Sequence, residues 1–176
     1  MKFEGSVNEI ARFFFSYPLG EIKMKLVIDT REQRPFTFEA YECWTVRGTL
    51  NVGDYSVQGF EEAISVERKS LDDLVGCLMG DSRDRFEKEL ARSRGLERFV
   101  VCIESAYEDV AKHRYKSRMN PVAVIQSLLA FWIRYDTAFY FAGSRAAAEY
   151  FTFGYLRKFV EEQGKRWKVC QEGKAA

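Results

Sequence analysis

The chain has 176 residues, 47% of them hydrophobic and 15% aromatic, with a formal net charge of +1. That length and composition fit one domain with a substantial core and exclude disorder, and the near-neutral balance excludes a global basic field, so any polyanion would be met by local clusters. A single histidine, His113, and four cysteines without a Cys-x-x-Cys spacing exclude a zinc ribbon, the Ser-His-Asp hydrolases and the His-rich metallohydrolases; the thiols read as buried or incidental ones in a reducing compartment.

Ser6 caps a predicted short helix with Ile10, Phe13 and Phe14 on one side, Glu9 completing a capping box, and Pro18 and Gly20 ending it. The segment is too short and too charged for a membrane span or a signal peptide. Residues 1–24 are therefore expected to be an accessory helix that lays Phe13, Phe14 and Phe15 on the core or a partner. The main domain is expected over residues 25–164, with a polar tail over 165–176.

Residues 25–29 are an apolar run of the kind found in buried strands. Pro35 breaks the chain, and residues 36–44 fit either an edge strand or a helical turn. Residues 49–58 and 63–69 read as the two strands of a hairpin across the polar, glycine-initiated stretch 59–62. Ser70 opens a helix to about residue 79, in which Asp73 is either a capping partner or a site residue. A second helix spans residues 81–94 with Phe86 and Leu90 inward and Asp84 able to pair with Lys88. Residues 98–104 form a central strand and 106–113 a short helix.

Residues 112–118, KHRYKSR, are the densest basic run. They are either an ordinary solvated loop or a phosphate-contacting one, in which Lys112, Arg114 and Lys116 supply charge and Tyr115 a stacking ring. Asn120 and Pro121 open a long helix whose apolar stripe is Val122, Ile125, Leu128, Leu129, Trp132 and Ile133. Residues 137–142 are a strand. Ser144 caps the last helix, from Arg145 to about residue 163, with Phe151, Tyr155, Leu156, Phe159 and Val160 on one side and Tyr150 and Phe153 widening it. The alternation of strands and helices predicts an α/β fold, a mixed central sheet with helices on both faces.

The chemistry concentrates on the hairpin. Side chains alternate faces along a strand, so Ser65, Glu67 and Lys69 share one face and Val66 and Arg68 the other. Antiparallel pairing can bring Asp54 close to Glu67 and Lys69. Two carboxylates supply the hard oxygens that Mg²⁺ prefers and leave positions for water and phosphate. Lys69 can orient or help deprotonate a water, or neutralise charge developing on a phosphate.

The ordered set is Asp29-Thr30-Arg31-Glu32, Gly53-Asp54-Tyr55, then Glu67-Arg68-Lys69 with Asp73 following. It resembles the nuclease domain of the XPF-type structure-specific endonucleases, of the PD-(D/E)xK superfamily, from about residue 26 to 160. The resemblance implies a restriction-endonuclease-like core and a DNA endonuclease that uses Mg²⁺ or Mn²⁺ to hydrolyse phosphodiesters at branched or flap structures. It implies metal binding by Asp54, Glu67 and the Arg68 carbonyl, with Asp29 at the site as a ligand or through water, and Lys69 serving the reaction. Arg31, Glu32 and Arg68 are then a supporting shell, and Arg83 and Arg85 lie near the DNA. It also implies a homodimer through the last helix, at Phe151, Tyr155 and Phe159.

The tandem helix-hairpin-helix and helicase domains usual in such enzymes have no counterpart in the sequence. A stand-alone domain is therefore expected to be a cytoplasmic prokaryotic or phage enzyme, or one helped by a separate DNA-binding or helicase partner, and not a membrane protein. Two alternatives stay open: a non-catalytic DNA-binding and dimerisation subunit, and a restriction-type nuclease that reads sequence.

Overall fold

A computed structural model describes residues 24–171; the expected accessory helix lies outside the described residues. Strands β1 (Met24–Asp29), β2 (Cys43–Gly48), β3 (Tyr55–Val57), β4 (Ile64–Lys69), β5 (Arg98–Ile103) and β6 (Ala138–Phe141) form one sheet in the order β2-β1-β3-β4-β5-β6. The pairs β1–β3 and β3–β4 are antiparallel, and β1–β2, β4–β5 and β5–β6 are parallel. Helices α1 (Leu71–Gly76), α2 (Gly80–Ser93), α3 (Tyr107–Ala111), α4 (Pro121–Tyr135) and α5 (Arg145–Gln171) cover the two faces.

A sheet covered on both faces needs central strands that are apolar on both, and β5 is such a run. Val100 and Cys102 join Leu26, Tyr55, Val66 and the α5 residues Phe153 and Leu156 in one core. Phe99, Val101 and Ile103 join Leu74, Phe86, Leu90 and Phe131 from the helices opposite. None of the described helices is long and apolar enough to cross a membrane.

The elements follow the sequence pattern with local differences. Residues 36–42 do not make a regular element. Phe36, Phe38 and Tyr41 plug the first core, and the edge strand starts only at Cys43. The expected strand over residues 49–58 shrinks to Tyr55–Val57, because the chain before it bends back to bond Asp29 through the Leu50 N–H. The first two helices after the hairpin begin as expected, but α1 already ends at Gly76. The last helix, capped by Ser144 as expected, runs past residue 163 to Gln171.

The stripe expected on α4 is wrong by about a third of a turn. The inward residues are Val124, Leu128 and Phe131. Val122, Leu129, Trp132 and Ile133 face solvent, Ile133 at 88% exposure. Conversely, the aromatic face of α5 is largely consumed by its own sheet. Phe153, Leu156 and Phe159 are buried, and Phe159 meets Phe60 edge-on. Phe151 stacks on Tyr140 of β6 at 3.7 Å between centroids and on Tyr155 at 5.5 Å. The expected apolar patch on the last helix is thus not available to a partner as a whole.

Gly53 makes the turn into β3 possible. Its φ is +81°, and a Cβ there would lie 2.1 Å from Ser65 Oγ. Ser65 cannot swing away without losing its bonds to the Val52 and Tyr55 carbonyls. Gly53→Ala is expected to destabilise the protein by about 2–4 kcal/mol, from the left-handed backbone and the clash together. Urea unfolding monitored by circular dichroism measures it, and an unchanged midpoint would refute the role given to the glycine.

Candidate active site

Asp54 stands where three strands meet. Its N–H donates to the Val66 carbonyl on β4, and its carbonyl accepts from the Asp29 N–H at the end of β1. The backbone on both sides therefore fixes the direction of its carboxylate, and Oδ2 accepts the Arg68 N–H at 2.8 Å. Glu67 and Lys69 project from the same face of β4 and pair at 2.6 Å, as strand alternation requires. The Lys69 ammonium lies 4.9 Å from the centroid of Phe86 on α2, which screens it from water. Burial, together with the charge of Glu67, pushes the pKa of Asp54 well above the ordinary carboxylate value, although the Arg68 N–H works the other way. Burial works against the Lys69 ammonium, but the surrounding acids, Glu67 first, together outweigh it and raise its pKa, so Lys69 stays charged.

Sequence reading missed Glu89. It lies on α2 against Glu67, and burial with the Glu67 charge pushes its pKa up to about 7. The available signal was its place on the helix: it follows the inward Phe86 by three residues, on the border of the buried face. Beside it opens a cleft of about 470 Å³, lined among others by Arg31, Arg85, Lys88 and Arg92.

Asp29 behaves differently from expectation. It is 1% exposed. Its Oδ1 accepts from Arg31 Nε and the Arg31 N–H, and its Oδ2 from Arg31 Nη2 and the Leu50 N–H. Burial alone would raise its pKa, but these donors, Arg31 first, hold it below the ordinary carboxylate value. With both oxygens bonded to Arg31 and Leu50, Asp29 acts in this structure as a clasp that shapes the site, tying β1 to the loop that leads to Asp54.

The supporting residues divide between the two faces of the sheet. Arg31 belongs to the Asp29 clasp. Arg68 points to the opposite face from Glu67, where it bonds Glu104 at 2.9 Å and lies 3.8 Å from Glu32. Arg145 reaches the same Glu104 oxygen at 2.5 Å; neither Glu104 nor Arg145 was anticipated. Asp73 is exposed and serves as a cap, its N–H and Oδ2 both bonded to Ser70 Oγ.

The predicted DNA contacts are scattered. Arg83 is taken up by Glu87 at 2.9 Å and by the Phe131 ring, whereas Arg85 is exposed and, among the described residues, bonded only to Ser82. Tyr115 is buried, its hydroxyl donating to the Met119 carbonyl, so its ring is not offered for stacking as expected. Lys112, Arg114 and Lys116 pair with Glu108, Asp109 and Asp72 at 2.6, 2.9 and 3.6 Å.

The donor set fits a divalent ion of the Mg²⁺ type. Asp54 and Glu67 are hard-oxygen donors held so close that one raises the pKa of the other, a repulsion that a cation between them would relieve. Among the described residues no three His, Cys, Asp or Glu side chains converge as a ready-made cage. Two carboxylates with backbone and solvent oxygens suit Mg²⁺, which keeps several waters, better than Zn²⁺.

Asp29→Ala should therefore act on stability and not on ion binding. It is expected to cost about 3 kcal/mol, since the buried Leu50 N–H and the Arg31 guanidinium lose their acceptor. Folded Asp29→Ala should still bind Mn²⁺ with wild-type affinity by electron paramagnetic resonance, where Asp54→Asn loses it. Loss of Mn²⁺ binding in folded Asp29→Ala would restore Asp29 to the ligand set.

The ERCC4 domain family model matches residues 28–153, a span that takes in Asp29, Asp54, Glu67, Lys69 and Glu89. No curated protein matches the chain. Among solved structures, XPF from Aeropyrum pernix is similar with a TM-score of 0.64 at 19% identity, over 80% of this chain and 63% of that one. XPF from Aeropyrum pernix in complex with DNA gives a TM-score of 0.62 at 18% identity, over 80% and 66%. The chain thus spans a little under two thirds of the length of those structures. At such identities the likeness is one of fold: the six-stranded mixed sheet between helices is the XPF nuclease fold, restriction-endonuclease-like as the sequence pattern predicts. The family model, running over most of the sequence from the end of β1 into α5, makes the chain a member of the ERCC4 domain family.

Proposed function

We propose that the protein is a divalent-metal-dependent DNA endonuclease that cuts branched or flap structures. The observation that carries this reading is the meeting of Asp54, Glu67 and Lys69 on one face of the β3–β4 hairpin, beside an open basic cleft. Asp54 and Glu67 would hold Mg²⁺ or Mn²⁺ with the Arg68 carbonyl. The bound ion supplies the Lewis-acid charge that phosphodiester hydrolysis needs at neutral pH. Lys69, pinned by Glu67 and backed by Phe86, presents a fixed positive charge to the phosphate as its negative charge grows, without reorganising at the moment of reaction. Arg68 and its partners on the opposite face keep β4 from shifting. In-line attack by water leaves no covalent intermediate on the protein.

Cleavage of flap, fork, matched duplex and single strands in Mg²⁺, Mn²⁺ and EDTA tests the reading. Cutting is expected on flap and fork substrates, and EDTA is expected to abolish it. Asp54→Asn and Glu67→Gln should abolish cutting while DNA binding survives, and Lys69→Ala should lower the turnover rate by roughly a hundredfold or more. Full activity in either carboxylate variant would sink the assignment. Binding without cutting under every metal would make the chain a non-catalytic subunit, and preference for one duplex sequence would make it a restriction-type enzyme.

We also propose a homodimer, moved from the last helix to α4. Val122, Leu129, Trp132 and Ile133 form an exposed apolar row of the kind that monomers seldom leave uncovered, and a two-fold contact would bury it on both copies at once. Two copies would double the phosphate contacts with DNA. Sedimentation at micromolar concentration is expected to give a dimer, and Leu129→Glu with Ile133→Glu a monomer. A wild-type monomer removes the proposal.

A further inference from the structure

The cleft beside Glu67 is more than an approach to the site. On α2, Arg85, Lys88 and Arg92 recur at spacings of three and four residues, so they line up along one side of the helix. All three are exposed and border the cleft. Among the described residues Lys88 and Arg92 have no ion-pair partner within bonding distance, although the Arg92 charge reaches the Glu89 carboxyl, and the one hydrogen bond of Arg85 is to the neutral Ser82 hydroxyl at 3.1 Å. This contrasts with the basic loop over residues 112–118, whose Lys112, Arg114 and Lys116 are each matched by an acid. Unmatched cations carry the counterion-release energy of polyanion binding, and matched ones contribute little to it.

The geometry of the row selects its ligand. Seven residues of α-helix rise about 10 Å at 1.5 Å each. That is about three nucleotide steps at 3.4 Å per nucleotide of one strand. One end of the cleft reaches the reacting groups: Glu89 meets Glu67, and Phe86 carries the Lys69 ammonium. Arg31 closes that end. Its side chain is 67% exposed yet held in place by Asp29 and by the Leu50 carbonyl at 2.7 Å. Asp29 cancels its charge, so Arg31 offers directed N–H donors and adds no net attraction.

We propose that this cleft seats the sugar-phosphate backbone of the strand being cut, with Arg85, Lys88 and Arg92 each facing one phosphate next to the scissile one and Arg31 donating to the nearest. The proposal rests on the endonuclease reading for which strand lies there. It does not rest on it for the contacts themselves.

The test compares the 176-residue wild type with two triple variants, Arg85→Ala/Lys88→Ala/Arg92→Ala and Lys112→Ala/Arg114→Ala/Lys116→Ala. Affinity for a labelled flap DNA is read by fluorescence anisotropy in EDTA from low to moderate salt. The α2 variant is expected to lower the slope of log affinity against log salt by about 2 to 3, at 0.7 to 0.9 per lost phosphate contact. The loop variant should leave it near the wild-type value. Because the three α2 side chains are exposed, its thermal melt should match the wild type, and Lys88→Gln alone should lower the slope by about 1.

Uncharged methylphosphonates at the three linkages beside the cut, on the cut strand, should weaken the wild type and leave the α2 variant without further loss. An unchanged slope in the α2 variant, or a loss that follows the uncut strand, overturns the proposal. If the slopes behave as expected but no metal supports cutting, the endonuclease reading fails and the cleft stands as a DNA seat. Normal cutting with an unchanged slope does the reverse.

Discussion

The repulsion between two carboxylates sets the terms for the middle of this sheet. Asp54, half-buried at the entry to β3, and Glu67, buried on β4, lie close enough for the Glu67 charge to disfavour ionisation of Asp54. A fold built only for stability would put apolar groups there. Here Lys69 supplies part of the missing charge from the same strand face, and the Arg68 N–H takes one oxygen of Asp54. What remains uncompensated is a negative charge that a cation would relieve, and the proposed metal site rests on it. Glu89 heightens that demand from the helix side.

Holding such a pair requires rigid surroundings, and the chain provides them on both faces. On the edge side, Asp29 gathers the Arg31 side chain, the Arg31 N–H and the Leu50 N–H, and its own N–H fastens the Asp54 carbonyl. On the reverse side, Arg68, Glu104 and Arg145 join β4, the end of β5 and the start of α5. Arg145 goes on to the carbonyls of Arg34 and Pro35, so the irregular stretch after β1 is tied into the same network. Most of the buried charge therefore serves position, and little of it faces the cleft.

How much of this was legible in the sequence follows from the range of the interactions. Strand alternation alone places Glu67 and Lys69 together with Arg68 behind them, and the short connection places Asp54 opposite, because these relations are local. The clasp at Asp29 was not legible because its partner Leu50 comes from a loop whose return no periodicity announces. Glu89 was passed over for the same reason: its helical place beside Phe86 hints at the buried border, but its closeness to Glu67 exists only once α2 packs on the sheet. The stripe on α4 failed differently. Apolar residues occupy more of that helix than one core can bury, so counting them could not tell Val124, Leu128 and Phe131 from the exposed row. The basic run over residues 112–118 misled because composition does not reveal that each cation has an acid waiting.

The two-sided character of β4 bears on how this sequence can drift in length. Tyr55 faces Val66 across the hairpin, and Glu67 and Lys69 lie opposite Val101 and Ile103 of β5. A single inserted or deleted residue within β4 would exchange its two faces, sending Arg68 toward the cleft and Glu67 into the aromatic core at one stroke. Chemistry and packing would be lost together, so neither could be repaired without the other. The connection over residues 59–62 carries no residue of the site; only Phe60 of it packs on the core, and a Cβ added at Gly59 would meet nothing within 4 Å. Changes of length in this stretch of the chain are therefore tolerable at that turn and forbidden a few residues on, which makes the spacing from Glu67 to Lys69 a fixed ruler and the spacing from Asp54 to Glu67 an adjustable one.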